Sequence, residues 1–226
     1  GDTFRTMLRD QGSGDLFLFL QGGGLCYSDL CLAIGSAPAG IPALDVLDTE
    51  KQSNPVKGCD TVYLPYCDGS LFAGDAEHDD NGDGQTDRYN YGLKNLSAAL
   101  DVAHRAFPDP ERILLAGSSG GGYGTIPATV LARLLWPEVP IMVFNDSGVG
   151  LGLDGDPAYI DGIVDEFNAG SLLPASRPEL TADGHLTPLI GWQLEQDEDL
   201  RISAFSSYED LVISGMYLGV EGWKFN

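Results

Sequence analysis

The stretch Ile113-Leu114-Leu115-Ala116-Gly117-Ser118-Ser119-Gly120-Gly121-Gly122 joins a short apolar run to a Gly-x-Ser-x-Gly sequence centred on Ser119. A buried strand that turns sharply into a helix holds such a serine on a strained corner, where its Oγ stands clear of the sheet and can attack a carbonyl group. Glycines suit this corner because they let strand and helix approach closely. The chain has 30 glycines, however, so the same letters also fit an ordinary glycine-rich turn.

A second glycine-rich turn follows an earlier apolar run. Leu16–Leu20 is continuously apolar, as in a strand that is buried on both faces, and it leads directly into Gln21-Gly22-Gly23-Gly24. Glycines at this point let backbone N–H groups face a cleft, as in the oxyanion hole of lipase-like folds. The predicted donors are the N–H groups of Gly23 or Gly24 together with that of Gly120.

Apolar runs alternate with helical patterns along the chain. Strands are predicted over Leu16–Leu20, Thr61–Tyr66, Arg112–Ala116, Ile141–Asn145 and Arg201–Ser206. Helices are predicted over 93–107, from Gly121 towards Trp136, and over Ala158–Phe167. This alternation indicates an α/β fold with a mainly parallel sheet flanked by helices, in which ligands bind at the carboxyl ends of the strands. Two insertions are expected, an irregular one over Gly35–Asn54 and a cap over Phe167–Trp192.

The charge balance excludes several classes of partner. The 226 residues include 34 Asp and Glu against 12 Lys and Arg, which gives a net charge of −22. So large an acidic excess argues against nucleic acid and anionic membrane surfaces. No run reaches the roughly 20 apolar residues that a membrane span needs.

The four cysteines are Cys26, Cys31, Cys59 and Cys67. Their spacing lacks the C-x-x-C pairs that are typical of zinc sites. An even number near predicted turns favours disulfides in an oxidising compartment. Among the three connectivities we expect the local pairs Cys26–Cys31 and Cys59–Cys67, and buried free thiols are the alternative.

Residues 79–87 match the D-x-[DN]-x-[DN]-G pattern of a calcium loop. The expected Ca²⁺ ligands are Asp79, Asn81, Asp83, the Gln85 carbonyl and Asp87. Position 12 of the pattern is Asn90 rather than a bidentate Glu, so weaker binding is expected and an EF-hand helix pair is not. We predict a structural Ca²⁺ site within an insertion of about 79–90, and no organic cofactor; a solvated acidic turn is the alternative.

Several longer segments resemble the pectinacetylesterase/Notum family of carbohydrate esterases. They spread over about residues 4–150 and comprise Phe19–Cys26, Asn54-Pro55-Val56, Tyr66–Gly74, Gly117–Gly121 and Asp146-Ser147-Gly148. The resemblance implies an α/β-hydrolase fold, with residues 1–226 forming one domain that is incomplete at both ends. It also implies a secreted enzyme with a Ser-Asp-His triad that removes ester groups, in which Ser119 is the nucleophile.

The triad acid is expected after the last predicted strand. The resemblance favours Asp210, with Glu209 as the neighbouring choice and Asp146 as a competitor after an earlier strand. An acidic first helical turn explains the pair at 209–210 equally simply, since the helix dipole favours negative charge there.

The triad histidine is where the sequence departs from the family pattern. The family places this residue after the acid, and no histidine follows Asp210. His185 lies on a predicted loop and would complete the chain order Ser119, Asp146, His185. The alternative expectation is that the chain as given ends, at Asn226, before the true histidine.

These observations predict a secreted serine esterase that acts on an ester-bearing substrate, with an acetyl group on a polysaccharide as the preferred choice. One rival is a catalytically inactive binding protein with a hydrolase fold, which the missing downstream histidine favours. The other is an esterase or depolymerase for different esters, including those of lipidated proteins. The oligomeric state is not predicted.

Overall fold

The computed structural model describes residues 4–28, 30–153, 155–208 and 210–219. The strands are β1 (Met7–Arg9), β2 (Asp15–Leu20), β3 (Gly24–Tyr27), β4 (Leu30–Ala33), β5 (Asp60–Leu64), β6 (Ala76–His78), β7 (Arg88–Asn90), β8 (Arg112–Ser118), β9 (Ile141–Asp146) and β10 (Leu200–Phe205). The helices are α1 (Gly92–Ala106), α2 (Gly120–Leu135), α3 (Pro157–Glu166) and α4 (Thr187–Gln196). Short 3₁₀ turns cover Asp45–Leu47, Gly170–Leu172 and Pro178–Leu180, and a π-helical segment covers Leu211–Tyr217.

Six of these strands form one sheet in the order β1-β5-β2-β8-β9-β10. β1 runs antiparallel to β5, and all the other neighbours are parallel. The five strands that the apolar runs predicted make up this parallel part, so the predicted α/β class is confirmed. β3–β4 and β6–β7 are separate antiparallel hairpins. No helix in the described ranges is long and apolar enough to cross a membrane.

The central strand β2 is apolar on both faces, which explains its position in the middle of the sheet. Leu16, Leu18 and Leu20 face the main core. The same core includes residues from one stripe of α1, namely Leu96, Ala99, Leu100 and Ala103. This stripe has the helical spacing that the sequence showed, and its burial holds α1 and α2 on one side of the sheet.

Part of the opposite face of the sheet is covered by the irregular segment 35–59. Phe17 of β2 and Tyr63 of β5 pack there against Leu47. Further along this face, Met142 and Phe144 of β9 are about half exposed. The segment 35–59 therefore covers the β5–β2 part of this face, and the β9 part lies open.

The predicted cap segment, Phe167–Trp192, contains the first part of α4 and two of the 3₁₀ turns. Leu180 and Leu189 from this segment pack against Ile126 of α2. Ile163 of α3 packs in a separate apolar cluster with Phe167, the residue directly after this helix. The segment thus lies against the helix that begins at the Gly-x-Ser-x-Gly corner.

One of the two predicted disulfides is confirmed and the other is wrong. Cys26 and Cys31 face each other across the β3–β4 hairpin and are joined. Cys59 and Cys67 are free thiols, because β5 lies between them as an extended strand. The five residues of β5 separate its ends by roughly 16 Å, whereas a disulfide needs Cα atoms within about 7 Å.

We expect the two free thiols to react slowly in the folded protein and quickly after unfolding. Burial raises the pKa of Cys59, and burial together with the Asp68 charge raises the pKa of Cys67 to about 11, so both remain unreactive thiols at neutral pH. Mass mapping after iodoacetamide treatment should find two alkylated cysteines in denaturant and a linked Cys26–Cys31 peptide. A linked Cys59–Cys67 peptide would contradict the structure.

Candidate active site

Ser119 lies on a strained corner between β8 and α2. Its backbone has φ 53° and ψ −120°, a left-handed conformation that is unusual for a residue with a side chain. The two glycines of the motif make the corner possible: a Cβ at Gly117 would lie 2.1 Å from Gly121 O, and one at Gly121 would lie 2.2 Å from Leu20 O. The predicted close crossing of strand and helix is therefore present.

The end of β9 fixes the first turn of α2 through a buried amide. Asn145 is fully buried, and its Nδ2 donates to Gly122 O (2.8 Å), Thr125 Oγ1 (3.0 Å) and Gly148 O (3.0 Å). Its Oδ1 accepts a hydrogen bond from Gly148 N (2.8 Å). The sequence analysis missed this residue, although an Asn that ends an apolar strand directly before Asp-Ser-Gly was a usable signal.

Asp146 supports the corner from the other side. Its backbone carbonyl accepts from Ser119 N at 2.8 Å. Its carboxylate accepts from the hydroxyls of Ser118 (2.8 Å) and Ser147 (3.1 Å). With two hydroxyls bound to it, this carboxylate holds the backbone around the serine, and its competing role as the triad acid stays a prediction.

The glycine loop after β2 meets the corner directly. Gly24 and Gly120 line the same cavity as Ser119. A Cβ at Gly120 would lie 3.0 Å from Gly24 O, so the two backbones are in contact. Gly120 is the first residue of α2, and the N–H groups of a first helical turn have no acceptor within the helix.

Tyr66 holds the glycine loop in place, a role that the sequence did not reveal. Its hydroxyl donates to Gly24 O (2.8 Å) and accepts from Leu71 N (2.9 Å). Its ring is so close to Gly23 that a Cβ there would lie 2.3 Å from it. Burial raises the pKa of Tyr66 well above its ordinary value, so the donating proton is retained.

The cavity next to Ser119, called here the serine cavity, has a volume of about 50 Å³. Its walls are aliphatic side chains such as Leu25, Ile163 and Ile213, together with three tyrosines. Each tyrosine donates its phenol proton to a backbone carbonyl: Tyr123 to Leu151 (2.9 Å), Tyr159 to Tyr217 (3.1 Å) and Tyr217 to Leu32 (2.9 Å). Burial raises the pKa of all three phenols, that of Tyr159 to about 12, so the walls carry no charge at neutral pH.

Asp210 begins the π-helical segment Leu211–Tyr217. Its Oδ1 accepts from Val212 N (3.0 Å) and Ile213 N (2.9 Å), which is the N-cap arrangement. Its negative charge also contributes to the raised pKa of Tyr123, so it lies near the serine cavity. Glu209, the neighbouring choice, lies outside the described residues. The triad role of Asp210 stays a prediction.

His185 lies at the edge of the site. Its Nδ1 accepts a hydrogen bond from Gly152 N at 2.9 Å, and its neighbour Leu186 lines the serine cavity. A triad imidazole instead donates from Nδ1 to a carboxylate and accepts the serine proton at Nε2. The chain's three histidines all fall within the described ranges, and none of them lines this cavity.

The predicted calcium ligands lie together in the turn of the β6–β7 hairpin. The Asp79 carboxylate accepts hydrogen bonds from the N–H groups of Gly82, Asp83 and Gly84. The other side-chain oxygens also accept from backbone N–H groups: Asn81 from that of Asp83, Asp83 from that of Gln85, and Asp87 from those of Asp80 and Asn81. Across the described ranges, no three His, Cys, Asp or Glu side chains are grouped to hold a metal ion. The predicted Ca²⁺ site therefore stays a prediction, and Arg88 ties its hairpin to Glu166 of α3 (2.8 Å).

Sheet order and the serine corner together define an α/β-hydrolase fold, with the candidate site at the carboxyl end of β8. The pectinacetylesterase family profile matches residues 8–156, and the chain belongs to this family. A search of curated proteins finds no match. Among solved structures, the Wnt deacylase Notum from Drosophila is similar with a TM-score of 0.61 and 16% identity, over 90% of this chain and 66% of that one. The chain thus spans just under two thirds of Notum.

Replacing Asn145 with Ala should lower the free energy of unfolding by about 2–4 kcal/mol, because it leaves the buried Gly122 and Gly148 carbonyls without this donor. Urea denaturation followed by circular dichroism would measure the loss. Asn95→Ala is the control, since the Asn95 amide makes a long contact, of 3.7 Å, with Cys67 Sγ. Equal stability of the two variants would contradict the role of Asn145 in fixing the first turn of α2.

If residues 79–87 bind Ca²⁺, adding the ion should stabilise the folded state by about 2.7 kcal/mol at a hundredfold excess over Kd. The melting temperature should then rise by several degrees in calcium and fall again with a chelator. Asp83→Ala should remove this difference, because it takes away one predicted ligand. Identical melting curves of the parent protein in calcium and in chelator would support the solvated-turn alternative.

Proposed function

We propose that the protein is a secreted serine esterase that removes acetyl groups from a polysaccharide. The observation that carries this proposal is the position of Ser119, which sits on a strained corner and opens onto an apolar cavity beside Gly24 and Gly120. Membership of the pectinacetylesterase family supports the same chemistry. The similar Notum structure, described as a Wnt deacylase, supports ester cleavage more broadly.

In the proposed reaction, Ser119 Oγ attacks the ester carbonyl and an acyl-enzyme forms as the alcohol leaves. The N–H groups of Gly24 and Gly120 would stabilise the negative oxygen of the tetrahedral intermediate, because both residues border the space beside the serine. The peptide that carries Gly24 N–H is held by the hydrogen bond from Ile34 N to Gly23 O (2.7 Å), and Tyr66 holds the next peptide through Gly24 O (2.8 Å). Such preorganisation matters since donors that need no rearrangement stabilise the transition state most.

The general base in this proposal is His185, and Asp210 is the acid that orients it. His185 is the favoured histidine because its surroundings border the serine cavity. It accepts a hydrogen bond from Gly152, and the residues next to these two in the chain, Leu186 and Leu151, both line that cavity. Its ring would have to release Gly152 N–H before Nδ1 can donate to a carboxylate. Activity would therefore require a rearranged segment around 185.

The size and chemistry of the serine cavity support a short acyl group. Its volume of about 50 Å³ is far below the roughly 300–1,000 Å³ of pockets for drug-sized ligands. The net charge of −22 favours an uncharged polymer over a polyanionic one as the alcohol. The disulfide Cys26–Cys31 supports secretion, since disulfides persist in oxidising compartments.

A second candidate function is that of a catalytically inactive binding protein with a hydrolase fold. The observation that favours it is that His185 Nδ1 accepts a hydrogen bond from Gly152 N–H, whereas a triad imidazole donates from Nδ1. In that case the serine cavity would bind an acyl group without cleaving its ester.

The test is labelling with a fluorophosphonate probe together with hydrolysis of p-nitrophenyl acetate. We expect the probe on Ser119, and we expect Ser119→Ala to lose at least about 10³-fold in kcat while keeping its fold. Ser118→Ala is the matched control: it removes one hydrogen bond to Asp146 and should keep its activity. If Ser118 carries the probe instead, the motif has been assigned in the wrong register.

The same assay separates the remaining alternatives. Absence of labelling and of turnover in the folded wild-type protein would favour the inactive binding protein. Labelling that persists, with full turnover, in His185→Ala would place the general base elsewhere. Loss of turnover in both His185→Ala and Asp210→Ala would support the proposed triad.

A further inference from the structure

A second apolar cavity lies beside the serine cavity, between α2, α3 and the segment 169–193. This outer cavity has a volume of about 280 Å³. Its walls include Ile126 and Val130 of α2, Phe167 and Trp192. It is several times larger than the serine cavity and similarly apolar, and the proposed reaction does not use it.

The two cavities share part of their walls. Four side chains line both of them: Leu71, Tyr123, Ile163 and Leu186. The space next to Ser119 and the larger cavity therefore adjoin, and these four shared residues form the partition between them.

Three members of the partition are held in place by hydrogen bonds or by packing. Leu71 has a left-handed backbone (φ 56°), and its N–H donates to the buried Tyr66 hydroxyl at 2.9 Å. The Tyr123 hydroxyl is anchored on Leu151 O at 2.9 Å. Ile163 is buried and packs in the same cluster as Leu25 and Phe167. These contacts stabilise the partition at Leu71, Tyr123 and Ile163.

We propose that this partition sets the length of the acyl group that the enzyme accepts. With the partition in place, an acyl group bound at Ser119 meets a closed wall after a few atoms, so acetyl esters are preferred. With one member truncated, the chain can continue into the outer cavity. This inference rests on the proposed esterase function and identifies the residues that determine its acyl specificity.

The expected size of the effect follows from apolar burial. Each methylene that enters an apolar cavity from water strengthens binding about fourfold. An octanoyl chain has six more carbons than an acetyl group, and part of the gain is lost to ordering the chain. Truncating the partition should therefore shift the octanoate-to-acetate ratio of kcat/KM by roughly a hundredfold.

The experiment compares p-nitrophenyl acetate and p-nitrophenyl octanoate as substrates of the folded protein. Ile163→Ala and Leu186→Ala should each raise the octanoate-to-acetate ratio of kcat/KM, because each removes a shared side chain. Ile190→Ala is the matched control: Ile190 packs in the cluster behind the outer cavity and lines neither space. If Ile163→Ala does not fold, Ile163→Val should give a smaller shift in the same direction.

Failure of the partition proposal and failure of the proposed esterase function would give different results in this experiment. An unchanged ratio in both partition variants, with acetate turnover retained, would overturn the partition and leave the esterase function standing. An equal shift in Ile190→Ala would also overturn it, because general loosening would then explain the result. A folded wild-type protein that cleaves neither ester and takes no fluorophosphonate label would instead refute the proposed function itself.

Discussion

The structure depends on a backbone-to-backbone crossing that leaves no space for side chains. Where β8 turns into α2, a Cβ at Gly117 or Gly121 would overlap main-chain oxygens, and one at Gly148 would lie 2.2 Å from Tyr123 N. Neighbouring strand ends and the first turn of α2 thus touch directly. Close contact of this kind fixes the direction of α2, because no flexible side chain lies in between. The left-handed backbone of Ser119 is a consequence of that fixed geometry.

The same constraint connects the separate parts of the candidate site. Gly120 is placed by the corner, and it contacts the loop residue Gly24. Tyr66 then ties that loop to the residues that follow β5, including Leu71 in the shared partition. A single chain of contacts therefore runs from the serine corner to the wall that limits the acyl space. Rigid support of this kind is what a site needs if it must hold donors ready for a developing charge.

Local patterns in the sequence were enough to predict the sheet, because β2, β8 and β9 are short runs of consecutive apolar residues. The serine corner and the glycine loop were predictable for a similar reason, since few residues other than glycine fit such close approaches. Contacts between distant segments were not predictable: Asn145 and Tyr66 act through partners that only the fold brings near. The Cys59–Cys67 pairing failed because nearness in sequence does not mean nearness in space when a strand intervenes. Which residue accepts the serine proton also depends on contacts between distant segments. The hydrogen bond between Gly152 and His185 could not be predicted from the order of residues in the chain.

The two shielded thiols also affect how the protein behaves once it unfolds. In the unfolded chain their pKa values return to about 8.5, and each thiolate can attack the Cys26–Cys31 bond through a mixed disulfide. Non-native pairs then trap the chain, so heating at mildly alkaline pH without a reductant becomes irreversible. Under those conditions the lifetime of the folded protein is governed by its unfolding rate and no longer by an equilibrium constant.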